Sequence, residues 1–143
     1  LVGVSFRIEV LQPGSSPSTE LLSVHCADSR ESQIVVRLDG NGQLGLAQTK
    51  ANEPAPAAPV RVPLATWKRV ELELQKNGVT GDAYTAVLRQ DGATYVSLTS
   101  TPLSCGAGAL VVDVGNRVGA STADRSGSYV LRLDDVTVDW DIK

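Results

Sequence analysis

The sequence predicts an all-β domain, a sandwich or barrel of about nine or ten short strands. Three observations carry that prediction. Apolar residues recur every second position in segment after segment, the spacing of a half-buried strand. Turn residues interrupt these segments roughly every dozen positions. Helical periodicity is absent almost everywhere.

The first segment sets the pattern. Val2, Val4, Phe6, Ile8 and Val10 point one way, and Gly3, Ser5, Arg7 and Glu9 point the other. Residues 12–18 are a loop by composition, with two prolines and three serines around Gly14. Leu22, Val24 and Cys26 form the next inward face, with Ser23 and His25 opposite. Residues 27–32 turn the chain, and Ile34, Val36 and Leu38 follow as another inward face. Asp39-Gly40-Asn41-Gly42 is a hairpin signal, because Gly and Asn tolerate positive φ, and Leu44 and Leu46 continue the returning strand.

Residues 49–63 hold four prolines. Proline cannot donate to a ladder, so this stretch is expected to be a surface connector. Beyond it Val70, Leu72 and Leu74 alternate with Arg69, Glu71 and Glu73. Asn77-Gly78 and Gly81-Asp82 mark a turn. Gln90-Asp91-Gly92 joins the strands over 84–89 and 94–98 in a second hairpin. Residues 101–108 read as loop, Leu110, Val112 and Val114 as a strand, and 115–127 as a polar loop. The last strand starts with Tyr129, Leu131 and Leu133 inward, then slips phase so that Val136, Val138 and Trp140 carry the apolar face. A slip of one residue at Asp134-Asp135 predicts a β-bulge or a bend.

Composition excludes several function classes. A net charge of −3, with thirteen Lys and Arg scattered rather than clustered, gives no field to attract nucleic acid or an anionic bilayer. No apolar run approaches the roughly 20 residues of a membrane-spanning helix, so membrane insertion is not expected. Leu1 already stands in a strand-like alternation with no leader ahead of it, and the chain is read as a processed or excised piece of a longer protein.

The two cysteines, Cys26 and Cys105, lie 79 positions apart. Neither belongs to a CxxC pair, and one histidine, His25, cannot complete a zinc set with them, so no metal site is expected from them. Three readings compete: a disulfide, which is favoured, two inert buried thiols, and a reactive thiol. A bridge implies an oxidising compartment, and hence a secreted or cell-surface protein.

Several segments together resemble the concanavalin A-like lectin/glucanase superfamily, in particular its laminin-G-like bacterial modules. They are Val4-Ser5-Phe6-Arg7-Ile8-Glu9-Val10, the hairpin Leu38-Asp39-Gly40-Asn41-Gly42-Gln43-Leu44, Thr66-Trp67-Lys68-Arg69-Val70-Glu71-Leu72, the Val87 to Gly92 hairpin, Val114-Gly115-Asn116, and Leu133-Asp134-Asp135-Val136-Thr137-Val138. The resemblance covers nearly the whole chain. It implies an antiparallel jelly-roll sandwich of two curved sheets, a single domain over residues 1–143, and an N-terminal strand missing upstream of Leu1 that would pair near the Asp-Asp-Val strand. A strand donated by a neighbouring chain is the alternative source for that position.

Catalytic chemistry is not supported. Glucanases of that superfamily need several acids sharing one strand face around a glycosidic bond. Here only Glu71 and Glu73 share a face, Leu74 and Gln75 follow, and a solvated face with Arg69 alongside is the expected reading. The sole imidazole, His25, neighbours a cysteine that projects to the opposite side, so no nucleophilic triad forms. The resemblance implies structural calcium near the last strand, with Asp134 and Asp135 as its oxygen donors. The favoured reading is a bulge whose carboxylates accept backbone or Arg132 hydrogen bonds, and no cofactor is expected.

Sugar sites in sandwiches use aromatics that stack on pyranose faces beside Asn, Asp and Arg. Phe6 and Tyr129 fall on core faces, and Trp67, out of phase with Val70, is expected to cap the core from one end. Tyr84 and Tyr95 are expected as cross-strand neighbours on an outer face, with Asn116-Arg117 and Asp124-Arg125 adding polar contacts. No ligand-binding residue is singled out beyond these. The expected function is a non-catalytic recognition or adhesion module with a glycan or protein partner. The alternatives are an assembly subunit completed by strand pairing and an accessory domain of a larger carbohydrate-active enzyme.

Overall fold

A computed structural model describes residues 1–11, 19–39, 42–50, 60–78, 83–103, 105, 109–118 and 129–139. They form ten strands: β1 (Val2–Leu11), β2 (Thr19–Cys26), β3 (Ser29–Leu38), β4 (Gln43–Lys50), β5 (Val60–Arg61), β6 (Trp67–Lys76), β7 (Ala83–Gln90), β8 (Ala93–Pro102), β9 (Leu110–Val118) and β10 (Tyr129–Val138). One antiparallel sheet, sheet A, has the order β10-β1-β6-β7-β8, and sheet B has β5-β4-β3-β2-β9. The two face each other as a β-sandwich, meeting along β9 and β10 at one side and β4 and β8 at the other. The predicted all-β sandwich is what the chain forms.

Its interior is made by alternate residues. Val2, Val4, Phe6 and Ile8 of β1 are buried, as are Val70 and Leu72 of β6, Ala86 and Leu88 of β7, Leu22 and Val24 of β2, and Ile34 and Val36 of β3. Burying each larger side chain of this set contributes about 1.5–3 kcal/mol relative to leaving it in water. Cys26 and Cys105 are joined by a disulfide with a Cα–Cα separation of 5.1 Å. It pins the end of β2, in sheet B, to the segment that leaves β8 of sheet A.

The turns follow their sequence signals. The carbonyl of Asp39 accepts from Gly42 N (3.0 Å), its carboxylate accepts from Gln43 N (2.8 Å), and Gly42 has φ of 75°. In the β7–β8 hairpin Asp91 and Gly92 both have positive φ (51° and 81°), the type I′ pattern that matches strand twist. Boundaries shift modestly. β3 begins at Ser29, inside the expected turn; Val60–Arg61 forms a short strand within the expected connector; β8 takes in Thr101 and Pro102; β9 continues through Gly115 to Val118. Backbone ladders extend past the apolar alternation wherever a neighbouring strand offers partners.

The predicted bulge is present. Gly3 pairs with Thr137 and Ser5 with Asp134, which leaves one extra residue on β10. Asp135 there has φ of 49°, and Asp134 Oδ1 accepts from its backbone N at 2.9 Å. Val138 sits opposite the buried Val2, on the inward face as expected. Even so, Val136 and Val138 remain 53% and 46% exposed, because β10 is the outermost strand of sheet A and its other flank carries no strand among the described residues. Residues 12–18, Gly81-Asp82, Asp124-Arg125 and Trp140 lie outside the described residues.

Sheet B departs from the half-buried pattern. Its outward residues Ser23, His25, Val35 and Ala47 are buried too.

Candidate functional site

The outward face of sheet A carries a polar row along β6: Trp67, Arg69, Glu71, Glu73 and Gln75, every second residue from the strand's start. At about 3.4 Å per residue the row runs on the order of 27 Å. Cross-strand register adds neighbours. Trp67 stands opposite Arg7, which stands opposite Arg132; Arg69 is opposite Ser5; Glu71 lies between Gly3 and Arg89.

Trp67 does not cap the core. It is 43% exposed on the outer face, because it belongs to the Arg69–Glu71 phase of β6 rather than that of Val70. The expectation for the tyrosines is also reversed. Tyr84 and Tyr95 pack partly buried against the core cluster, and Tyr84 is opposite Thr101, not Tyr95. The aromatic platform on this face is therefore Trp67. Asn116 and Arg117 fall within β9 of the other sheet.

The β7–β8 turn holds the start of the row in place. Asp91 Oδ1 accepts from Arg69 N at 3.0 Å, and Asp91 Oδ2 from Lys68 Nζ at 2.7 Å. Lys68, with help from the Arg69 amide, holds the Asp91 carboxyl below its ordinary range. The hairpin signal was legible in the sequence; this second use of its aspartate was not.

The arginines and carboxylates are interlocked. Arg69 donates from Nε to Glu71 Oε1 (2.9 Å), from Nη2 to Thr137 Oγ1 (2.7 Å) and from Nη1 to the carbonyl of Asp135 (3.3 Å). To reach β10 it lies across Gly3, where a Cβ would stand 2.8 Å from Nη2. Glycine leaves room for this crossing, and a side chain there would push the guanidinium aside. Arg89 donates from Nη2 and Nε to Glu73 Oε2 (2.7 and 3.2 Å) and from Nη1 to Thr94 Oγ1 (2.9 Å). Arg89 thus holds the Glu73 carboxyl below its ordinary value, its hydrogen bond outweighing the cost of partial burial. Arg89 was missed in the sequence reading, although its place two residues beyond Val87 on the outward phase was a usable signal.

Beside these residues lies an open groove of about 590 Å³ lined by Leu1, Glu71, Glu73, Leu74, Gln75, Lys76, Arg89 and Asp139. The groove's carboxylates, amide and cations can hydrogen-bond hydroxyls, and the exposed indole of Trp67, about 14 Å along β6 from Glu71, can stack on an apolar sugar face. Glu71 and Glu73 do share one face, as expected, but each is tied to an arginine.

A second cavity, about 510 Å³, lies on sheet B near Glu20, Ser23, Arg30 and Asp113. His25, 4% exposed, stands beside it. A carbonyl only accepts, so His25 Nδ1 is the donor to Cys26 O at 2.8 Å; Nε2 meets Asp113 Oδ2 at 3.2 Å. Arg30 Nη2 donates to the same oxygen at 2.9 Å. Both ring nitrogens are engaged and Cys26 is oxidised, so the imidazole ties β2 to β9. Asp134 and Asp135 sit in the β10 bulge, and no group of three or more metal-ligating side chains occurs among the described residues. No helix among them is long and apolar enough to cross a membrane.

No protein-family model matches this chain, and no curated protein matches it either. Two solved structures are similar in fold. Alginate lyase Aly36B superposes with a TM-score of 0.61 at 13% identity, over 94% of this chain and 66% of that one. A double mutant of Aly36B in complex with an alginate trisaccharide gives a TM-score of 0.60 at 12% identity, over 94% and 67%. This chain therefore spans just under two thirds of the first lyase's length, and identity this low shows the shared sandwich alone.

Proposed function

We propose that this chain is a non-catalytic carbohydrate-recognition module of the laminin-G-like kind within the concanavalin A-like superfamily, acting outside the cell as one domain. The observation that carries the reading is the exposed Trp67 heading a hydrogen-bonding row that opens into a groove. An indole on a sheet face offers stacking area at little entropic cost, and the row beneath supplies fixed polar partners.

Two features favour binding over catalysis. A glycosidase needs one carboxyl kept protonated, whereas Arg89 keeps Glu73 ionised. His25 lies on the opposite sheet, buried and fully engaged. The buried Cys26–Cys105 bridge suits an oxidising, extracellular setting. The fold shared with a polysaccharide lyase is compatible with an accessory role beside a catalytic domain.

A glycan array probed with the wild type and with Trp67→Ala tests the reading. Retention on a glycan class, weakened about tenfold or more by the substitution, is expected. Unchanged retention by the alanine variant would place the ligand elsewhere. The assembly reading draws on the half-exposed Val136 and Val138 of edge strand β10, and sedimentation showing a stable oligomer would favour it.

A further inference from the structure

We infer that Asn77 is a site of spontaneous covalent modification. Its side-chain amide closes on the backbone nitrogen of Gly78, and water then opens the ring to leave aspartate or isoaspartate. This chemistry stands apart from any sugar-binding role.

The Gly78 nitrogen attacks Asn77 Cγ. A bond forms between these two atoms, the Cγ–Nδ2 bond breaks, and Nδ2 leaves as ammonia with the proton that Gly78 gives up. The product is a five-membered succinimide. Solvent water supplies the hydroxyl and the proton that open it. Addition at Cγ restores the ordinary main chain and leaves an aspartate. Addition at the Asn77 main-chain carbonyl carbon routes the chain through Cβ and Cγ, as isoaspartate. Either product carries a new negative charge. The attacking nitrogen must be unscreened by a side chain of its own, which glycine provides.

The asparagines of this chain are Asn41, Asn52, Asn77 and Asn116, and glycine follows Asn41 and Asn77. The sequence treats these two pairs alike; the fold does not. Gly42 is buried, its nitrogen donates to the carbonyl of Asp39 at 3.0 Å, and its carbonyl accepts from Val62 N at 2.7 Å. Attack by that nitrogen requires the turn to open first. Asn77 and Gly78 are both exposed, just past the end of β6. Gly78 has φ of 83°, and nothing lies within 4 Å of where a Cβ would stand. Its nitrogen donates to no partner among the described residues. Asn77 N donates to the carbonyl of Ala83 at 2.8 Å, and Asn77 Oδ1 accepts from Thr85 Oγ1 at 3.0 Å. Neither bond occupies Cγ, Nδ2 or the Gly78 nitrogen, and the second draws electron density away from Cγ.

The new carboxylate would adjoin Lys76, a residue of the groove that already holds Glu71, Glu73 and Asp139. The isoaspartyl form also lengthens the main chain where Asn77 pairs with Ala83 to close the β6–β7 hairpin.

The test is incubation of the intact, oxidised chain for several weeks in mildly alkaline buffer at body temperature, then tryptic mapping against an unincubated sample. Cleavage after Lys and Arg separates residues 38–50, which hold Asn41, from residues 77–89, which hold Asn77. The 77–89 peptide is expected to become about 1 Da heavier, with isoaspartate in it shown by enzymatic carboxyl methylation. Its conversion should run at least about tenfold faster than that of 38–50. In urea the two Asn-Gly pairs should convert at rates within about twofold of each other, because the difference belongs to the fold. An unchanged 77–89 peptide, or a 38–50 peptide that keeps pace with it in the folded chain, would overturn the inference. So would a gap of the same size in urea, since it would trace the selectivity to local sequence instead of to burial and hydrogen bonding.

Discussion

Glu73 is the residue whose chemistry depends most on one neighbour. With Arg89 beside it, its folded carboxyl ionises below the ordinary glutamate value of 4.5. A depressed folded value means the pair stabilises the native state above that ordinary value, and the contribution disappears as pH falls through the folded value. Arg89→Met should therefore lower stability at neutral pH, and the gap from wild type should close in acid. Denaturant midpoints measured at neutral pH and well below pH 4.5 check this. The neutral-pH gap is expected to stay under about 1 kcal/mol, because both side chains reach solvent and salt screens them. At this scale the sequence was partly legible. The shared face of Glu71, Glu73 and Arg69 followed from period two alone. Which arginine clamps which carboxylate did not, since Arg89 arrives from another strand through the register of β6 with β7, and strand pairing is a tertiary fact.

Among the elements, the turn into β6 shows a local rule broken and a cost accepted. Ala65 adopts φ of 56°, a left-handed conformation that costs an ordinary L-residue about 1–2 kcal/mol. Its N donates to the carbonyl of Ile8 at 2.7 Å, which anchors the turn on β1 and sets where Trp67 begins its strand. Ala65→Gly should relieve the strain and raise stability by up to about 1 kcal/mol, less the added freedom of the unfolded chain. Thermal or denaturant unfolding measures it. Nothing in Pro63-Leu64-Ala65-Thr66 signals a positive φ at alanine, so this turn was invisible in the sequence. By contrast Asp39 to Gly42, Asp91-Gly92 and the Asp134-Asp135 phase slip were all legible, because Gly, Asn and Asp are the residues that tolerate such backbone. The tyrosines misled for another reason. Tyr84 and Tyr95 each sit in alternating segments, but an amphipathic phenol suits either face, and only register decides.

At the scale of the whole molecule, the sandwich was predictable because every other residue of most strands is apolar. The burial of Ser23, His25, Val35 and Ala47 on the second side of sheet B was not, since a phase that holds serine, histidine and alanine reads as solvated. The disulfide adds a long-range restraint across 79 positions. In the chain-entropy account, closing a loop of that length is worth about 4.5 kcal/mol at the upper end. Replacing both cysteines by serine should lower the denaturant midpoint markedly, and thiol titration of the unreduced, unfolded wild type should find no free sulfhydryl. The double-sided burial of sheet B has a kinetic corollary as well. Amide protons exchange with deuterium only when a strand opens, and opening is hardest where neither side already meets solvent. Isotope uptake followed by mass spectrometry should therefore reach β2 and β3 last and the β7–β8 ribbon first. The wetter sheet would then yield locally while its partner keeps the molecule's memory of its shape.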